Sequence, residues 1–253
     1  MKNLDIIALS DTHGYLPEIK TPIDLMLICG DICPAHDHYY AYQINWFQHE
    51  FANWINALPY KNEWSRVVIT WGNHDHVGER IGKEELECFY ITTGHKATVL
   101  RNETCLFGYI SNVTENAETA EIKHLTIFGT PYCKIFGRWA FMLSDERLKL
   151  KYNYMPNNCD ILLSHDAPDI NNLGLISMGE YSGINAGNKV LAEAIKEKKP
   201  KIALCGHIHS GNHNFENIEG TWMANVSYVN EAYYPAHEPL HFQINPDTKE
   251  IIK

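Results

Sequence analysis

Residues 66–76 read RVVITWGNHDH. An apolar, β-branched run of strand length breaks at Gly72, and the chain then presents an amide, an imidazole, a carboxylate and a second imidazole in succession. Partial burial at a strand end disfavours the charged forms of such groups unless metal ions or a bound anion compensate them. By itself the stretch also reads as a solvated loop in which Gly72 and Asn73 make the turn. What separates the two readings is that the same construction is repeated along the chain.

Further short apolar runs are LDIIALS (4–10), DLMLICG (24–30), HLTIFGT (124–130), DILLSH (160–165) and KIALCGH (201–207), each bounded by turn residues. Helix-like stretches at 40–57, 144–152 and 187–198 lie between several of them, the alternation of an α/β protein. The tail from His213 onward reads as successive antiparallel strands joined by turns, and the polar, acidic stretch 111–121 as an exposed loop. Nearly every run ends in residues able to bind metal: Asp11 and His13, Asp31, Asn73 and His74, His165, and His207 and His209. Open α/β sheets gather their sites at the carboxyl ends of strands, so these ends can converge. Each fragment alone has a plainer reading as a helix cap, a turn or a satisfied core histidine. His207 and His209, two residues apart, would lie on one side of an extended strand, which is ligand geometry.

At 253 residues the chain is long enough to bury a core without staples, and with no convincing linker it is expected to be a single domain over 1–253. Hydrophobic residues at 45% and charged residues at 21% suggest neither disorder nor a membrane class, and no apolar run is long enough to span a bilayer. The N-terminal stretch reads as a first strand and not as a signal peptide, so the mature chain is expected to begin there. Seven scattered cysteines without a C-x-x-C pair read as reduced core residues of a cytoplasmic protein. A formal charge of −10 argues against a long nucleic acid or an anionic membrane as partner, and leaves room for a small phosphate ester bound through metal. The oligomeric state is not legible.

In order, the blocks are D-x-H, G-D, G-N-H-D, a lone H and G-H-x-H, over positions 11 to 209. This set resembles the signature of the calcineurin-like metallophosphoesterases. FGTPYCKIFGRWAF (128–141), GHIHSG (206–211) and NVSYVNEAYYP (225–235) are similar to its branch of metallophosphoesterase-domain-containing proteins. Strand order and resemblance together imply an α/β fold in four layers, αββα, with two facing mixed β-sheets flanked by helices. The resemblance further implies two divalent or trivalent ions, one held by Asp11, His13, Asp31 and His209, the other by Asp31, Asn73, His165 and His207. Asp31 would bridge them. Carboxylate, amide and imidazole donors without thiolate suit Mn, Fe, Zn or Ni.

The implied activity is hydrolysis of small phosphate esters by a hydroxide shared between the metals, with phosphodiesters such as cyclic nucleotides ahead of monoesters. A nuclease or a non-catalytic scaffold of the same fold remain alternatives. His74 is expected to meet the phosphate or protonate the leaving oxygen, and Asp75 to hold the His74 imidazole. His76 is expected to face solvent. Tyr132, Phe136 and Trp139 could stack a base, Trp139 having a core role as its alternative. The chain departs from the metallophosphoesterase-domain-containing branch in Asp166-Ala167-Pro168 after the lone histidine, where a Gly-Pro-Pro-like turn is common, and from the protein-phosphatase branch in lacking arginines after Asp31 and before Gly72, where Trp71 stands.

Overall fold

The runs read as strands are strands because their side chains alternate between two apolar surfaces, which a two-residue period allows and a helix does not. The computed structural model describes residues 3–111 and 121–252, so the loop expected over 111–121 lies outside the described residues except at its ends. Strands are numbered along the chain. In the first sheet β1 (Leu4–Leu9), β2 (Leu25–Cys29), β3 (Arg66–Thr70) and β4 (Ala97–Leu100) are parallel neighbours, with Ile28 beside Ile69. β13 (Leu240–Ile244) joins β1 antiparallel, and β14 (Ile251–Ile252) joins β13, giving the order β14-β13-β1-β2-β3-β4.

The second sheet contains β5 (Glu103–Ser111), β6 (Glu121–Thr130), β9 (Ile161–Ser164), β10 (Ile202–Cys205), β11 (Glu216–Ile218) and β12 (Thr221–Asn225). Its order is β11-β12-β10-β9-β6-β5, with a parallel centre and antiparallel edges. A separate short pair joins β7 (Cys133–Lys134) to β8 (Met142–Leu143).

Between the sheets, Ile6, Ala8, Leu27 and Val68 meet Ile127, Leu163, Ile202 and Leu204. The residues between them on the first sheet, Ile7, Leu9, Ile28 and Ile69, face outward onto Phe47, Phe51 and Phe89. Those phenylalanines belong to a continuous helical stretch, α1 (Tyr40–Trp46), a π turn (Phe47–Phe51) and α2 (Ala52–Ala57), and to α4 (Lys83–Thr92); the short α3 (His76–Arg80) precedes α4. The second sheet is covered by α5 (Asp145–Tyr152) and α6 (Lys189–Lys198), through Leu148, Leu191 and Ile195 on Phe128, Leu162 and Ala203. α6 starts where the Asn188 side chain accepts from the Leu191 N–H at 3.0 Å. The four expected layers are present, each large aliphatic side chain buried in them contributing ~1.5–3 kcal/mol.

The tail differs from its expectation in one respect. It forms two antiparallel hairpins, but β11-β12 extends the second sheet while β13-β14 extends the first. Residues 226–239 between them pass along the end of the sandwich, where the Ser10 N–H donates to Val226 O at 2.8 Å and the Tyr228 N–H to Ser10 O at 2.8 Å.

Candidate metal centre

Strand ends from both sheets deliver polar groups to that same end. Asp11 and His13 follow β1, Asp31 follows β2, Asn73 and His74 follow β3, His165 follows β9, and His207 and His209 follow β10. The chain turns sharply there: φ is 51° at Asp11, 45° at His13, 52° at Asp31 and 68° at His207, a region non-glycine residues seldom enter and in which backbone strain marks functional loops. The motif glycines are required by close approach, since a Cβ on Gly72 would strike Asp31 Oδ1 and one on Gly206 would strike Asp11 Oδ2.

One expectation fails locally and survives globally. β10 ends at Cys205, so His207 and His209 do not share one side of a strand. With His207 left-handed, their rings reach different groups: His209 gathers with Asp11 and His13, and His207 with His165 and Cys133, donor atoms in each set lying within 4.8 Å of one another. Asp31 lies between, its Oδ2 3.8 Å from His13 Nε2 and 3.3 Å from His165 Nε2. Asn73 Oδ1 is 2.9 Å from the same His165 nitrogen, and Asp11 Oδ1 is 3.5 Å from His209 Nε2. The thiol of Cys133 was absent from the expected donor set and stands at its edge.

These contacts fit bound cations. His165 Nδ1 is 2.8 Å from Cys29 O and His209 Nδ1 is 2.9 Å from Asn230 O; carbonyls only accept, so each Nδ1 carries the hydrogen. In the neutral rings each Nε2 is then a bare lone pair, and these lone pairs point at the acceptor oxygens of Asp31, Asn73 and Asp11, with His13 Nε2 3.3 Å from that of His209. Such convergence is repulsive unless positive charge lies between the atoms, supplied by a metal ion or, in the metal-free chain, by a proton on the Nε2 of His165 and His209. Separations of ~3.0–3.5 Å are those of neighbouring ligands around an ion bonded at about 2.0–2.2 Å. A histidine tied by its far nitrogen to a carbonyl is also the usual second contact of a metal ligand.

Without metal the same groups hold protons in its place. Asp11 and Asp31 are buried, which alone would raise their carboxyls, yet His209 and His165 hold them well below the usual carboxylate range. Against its own burial, His165 is lifted to about 10 by Asp31 and Asp11, while burial pulls His13 and His207 down to about 4. Among the described residues no Lys or Arg pairs with either carboxylate. Trp71, standing where an arginine was missing, is 1% exposed and packs on Phe47 in the outer core.

His74 and Asp75 part company. The Asp75 carboxylate accepts the Gly72, Cys33 and Ile32 N–H groups at 2.8, 2.9 and 3.3 Å, so it braces two site loops and does not hold the His74 ring. Burial and the neighbouring Asp31 push its carboxyl up to about 7. The His74 N–H donates to Asp31 Oδ1 at 2.7 Å, and its Nδ1 lies 3.1 Å from His38 Nε2. Trp139 stacks on His74 at 4.3 Å between centroids, while Phe136 tilts over His207 at 5.1 Å. Tyr132 instead packs on Phe141 in the core under Lys151. His76, expected in solvent, is half-buried between Trp139 and His38.

Several participants were not foreseen. Ser227 Oγ donates to Asp11 Oδ2 at 2.8 Å, Tyr233 sets its ring 4.7 Å from His13, and fully buried Gln43 reaches His74 O at 2.8 Å. Only the polar-aromatic tail offered a signal for the first two; nothing local distinguishes Gln43 or His38.

The fold and the sequence can be set beside known proteins. A UPF0046 protein of Caenorhabditis elegans is 26% identical over 94% of this chain and 80% of its own length. The human metallophosphoesterase domain-containing protein 1 is 24% identical over 92% of this chain and 69% of its own. Among solved structures, the phosphopantetheinyl hydrolase of Mycobacterium tuberculosis superposes with a TM-score of 0.51 at 14% identity, covering 97% of each chain, which speaks to the fold alone. A protein of Thermus thermophilus, TT1561, gives 0.53 at 10% identity, over 99% of this chain and 97% of its own. The family model described as calcineurin-like phosphoesterase matches residues 4–211, and this chain therefore belongs to that family of metal-dependent phosphoester hydrolases.

Proposed function

We propose that this chain is a two-metal phosphodiesterase of small esters that carry a ring system, cyclic or linear nucleotides being the type. The observation that carries the reading is the meeting of the donor groups at Asp31 with no Lys or Arg bonded to them among the described residues. A diester bears one negative charge where a monoester bears two near neutrality, so a site with ions but no lysine or arginine clamp suits the diester better.

Asp11, His13, Asp31 and His209 would hold one ion, and Asp31, Asn73, His165 and His207 the other. The mainly nitrogen and oxygen donors suit Mn, Fe, Zn or Ni. Bound there, two such cations would supply charge against the phosphate oxygens and acidify a shared water. The chain's own part is to align the ester beneath the rings of Phe136 and Tyr233, whose exposures of 53% and 39% leave faces free to stack. Trp139 has one face against His74 and is a wall of the site before it is a platform. His74 is the group that meets the phosphate or protonates the leaving oxygen. Donors from both sheets and the tail favour one domain over 1–253, and seven unpaired cysteines accord with a reducing, cytoplasmic setting.

The test is turnover of bis(nitrophenyl) phosphate against nitrophenyl phosphate by metal-replete protein. kcat/KM should favour the diester by at least ~10-fold, the equivalent of about 1.4 kcal/mol. A reversed ratio would assign a monoesterase, and no turnover of either ester with two ions bound would make the chain a binding module.

A further inference from the structure

We propose that His38 is a positioning residue for His74, holding its ring by Nδ1 so that Nε2 is the nitrogen offered to the substrate. This rests on the reading of His74 as the group that meets the phosphate or leaving oxygen. His38 lies in the connection between β2 and α1, and its Nε2 is the hydrogen-bond partner of the His74 ring among the described residues, at 3.1 Å.

The nearby carboxylates are engaged elsewhere. Asp75 is taken by three backbone N–H groups, Asp37 Oδ1 accepts the Tyr39 N–H at 2.8 Å, and Asp31 Oδ1 accepts the His74 N–H at 2.7 Å. Packing confines the plane of the His74 ring: Trp139 lies on one face at 4.3 Å and 30°, and His13 meets it edge-on at 4.9 Å and 88°. Packing does not choose between the two flipped orientations of an imidazole, which differ in shape hardly at all and exchange Nδ1 with a carbon. A directional hydrogen bond at Nδ1 does choose.

The two loops are also tied to each other. Gln43, 0% exposed, donates from Nε2 to His74 O at 2.8 Å and to Asp37 O at 3.4 Å, while its Oε1 accepts the Val77 N–H at 2.9 Å. One buried amide therefore sets the loop of His38 against the loop of His74. In the reaction, the His74 Nε2–H bond breaks as an O–H bond forms on the departing oxygen, which keeps the electron pair of the P–O bond. The Nδ1 hydrogen stays on His74 and is accepted by His38 Nε2 throughout, so the pair exchanges a proton with substrate through one nitrogen only.

The experiment compares His38→Ala, His38→Gln, His74→Ala and the double variant on bis(nitrophenyl) phosphate and on a 3′,5′-cyclic nucleotide, with metal content measured on each sample. Nitrophenoxide leaves unaided, whereas the ribose alkoxide needs a proton. His38→Ala should lower kcat on the cyclic nucleotide by about tenfold or more, part of the ~10²–10⁴ available to general acid catalysis, with KM, metal content and nitrophenyl turnover nearly unchanged. His38→Gln, which keeps an acceptor, should lie between Ala and wild type, and the double variant should match His74→Ala alone. In metal-free protein labelled with ¹⁵N-histidine, His74 should show the Nδ1–H tautomer in wild type and a mixture in His38→Ala. Equal losses on both esters, losses that multiply in the double variant, or an unchanged tautomer would overturn the role of His38. A His74→Ala protein whose loss does not depend on the ester would overturn the underlying reading of His74, and this inference with it.

Discussion

β1 and β2 bring together two pairs of carboxylates, one at each end, and the two ends are compensated differently. At the end away from the site, Lys61 bonds to Asp5 and, at 2.8 Å, to Asp24, while His241 and Gln243 reach Asp5 at 2.9 and 2.7 Å. There the chain supplies its own cation, and despite partial burial Lys61 keeps the Asp5 carboxyl below its ordinary value. At the other end Asp11 and Asp31 are 0% and 1% exposed, and among the described residues they meet imidazoles, the Ser227 hydroxyl and backbone N–H groups but no lysine or arginine. Burying charge without a fixed counter-charge is costly, so the second pair is intelligible as a site that takes its cations from solution. In this chain the two pairs of carboxylates differ in whether a lysine reaches them.

The sharpest way to break this contrast is to neutralise one carboxylate at each end. Asp31→Asn should lose both ions and lower diester turnover by more than the ~10–100-fold that loss of an outer partner costs. Asp24→Asn should keep two ions per chain and near-normal turnover. Two ions in Asp31→Asn, counted by elemental analysis, would remove Asp31 from its shared position.

Adding metal should act on one end alone. An ion at a hundred times its Kd should stabilise the chelator-treated protein by about 2.7 kcal/mol per site, read as a rise in Tm, and it should do so in Lys61→Met as in wild type. The effect should vanish when Asp11 and His209 are both replaced by Ala at one site and His165 by Ala at the other. Lys61→Met itself should cost about 1–2 kcal/mol in a urea titration, because Asp24 is left nearly buried without its partner, and turnover should be unaltered. A Lys61→Met protein that loses turnover would show that the two ends are coupled.

The smallest effect is a slope with pH. His165 is lifted to about 10 from its ordinary 6.5 by Asp31 and Asp11, against the burial that opposes it. Its contribution is therefore complete below pH 6.5 and is lost as pH rises towards 10. His209, also raised, has the same sign, whereas Asp5 and Lys61 titrate outside that window. Metal-free protein should lose up to about 1 kcal/mol per pH unit between pH ~7.5 and ~8.5 in urea titrations, above the range in which His13 and His207, lowered to about 4, give the opposite slope. The slope should shrink in His165→Asn and persist in Lys61→Met; a flat profile in the wild type would deny the uncompensated end its charge. Saturating metal, which needs the neutral imidazole, should remove it.

The sequence shows the site more plainly than it shows what surrounds it. Asp11, Asp31, Asn73, His165 and His207 were legible because each closes an apolar run, and parallel strands must end on the same side. His38 and Gln43 were not, since their partners His74 and Asp37 are reached through space by a helix and a loop with no periodic signature. Asp75 was assigned to its chain neighbour; the fold turns it towards the backbone of Ile32 and Cys33 on another strand end. Tyr132, grouped with Phe136 and Trp139 by sequence, is drawn into the core, where Tyr152 donates to its carbonyl at 3.0 Å.

What the sequence determined by itself was the strands that lead to the site, their alternation with helices and the chemistry at their ends, and not β4, β5 or α4, because periodicity and turn residues are local and a metal donor is a property of one side chain. Only the tertiary structure decided that the tail hairpins divide between two sheets, that His207 and His209 serve different groups, and which partner steadies His74. Those outcomes depend on where two distant pieces of backbone meet when both faces of each sheet are buried, and burial is a property of the whole chain.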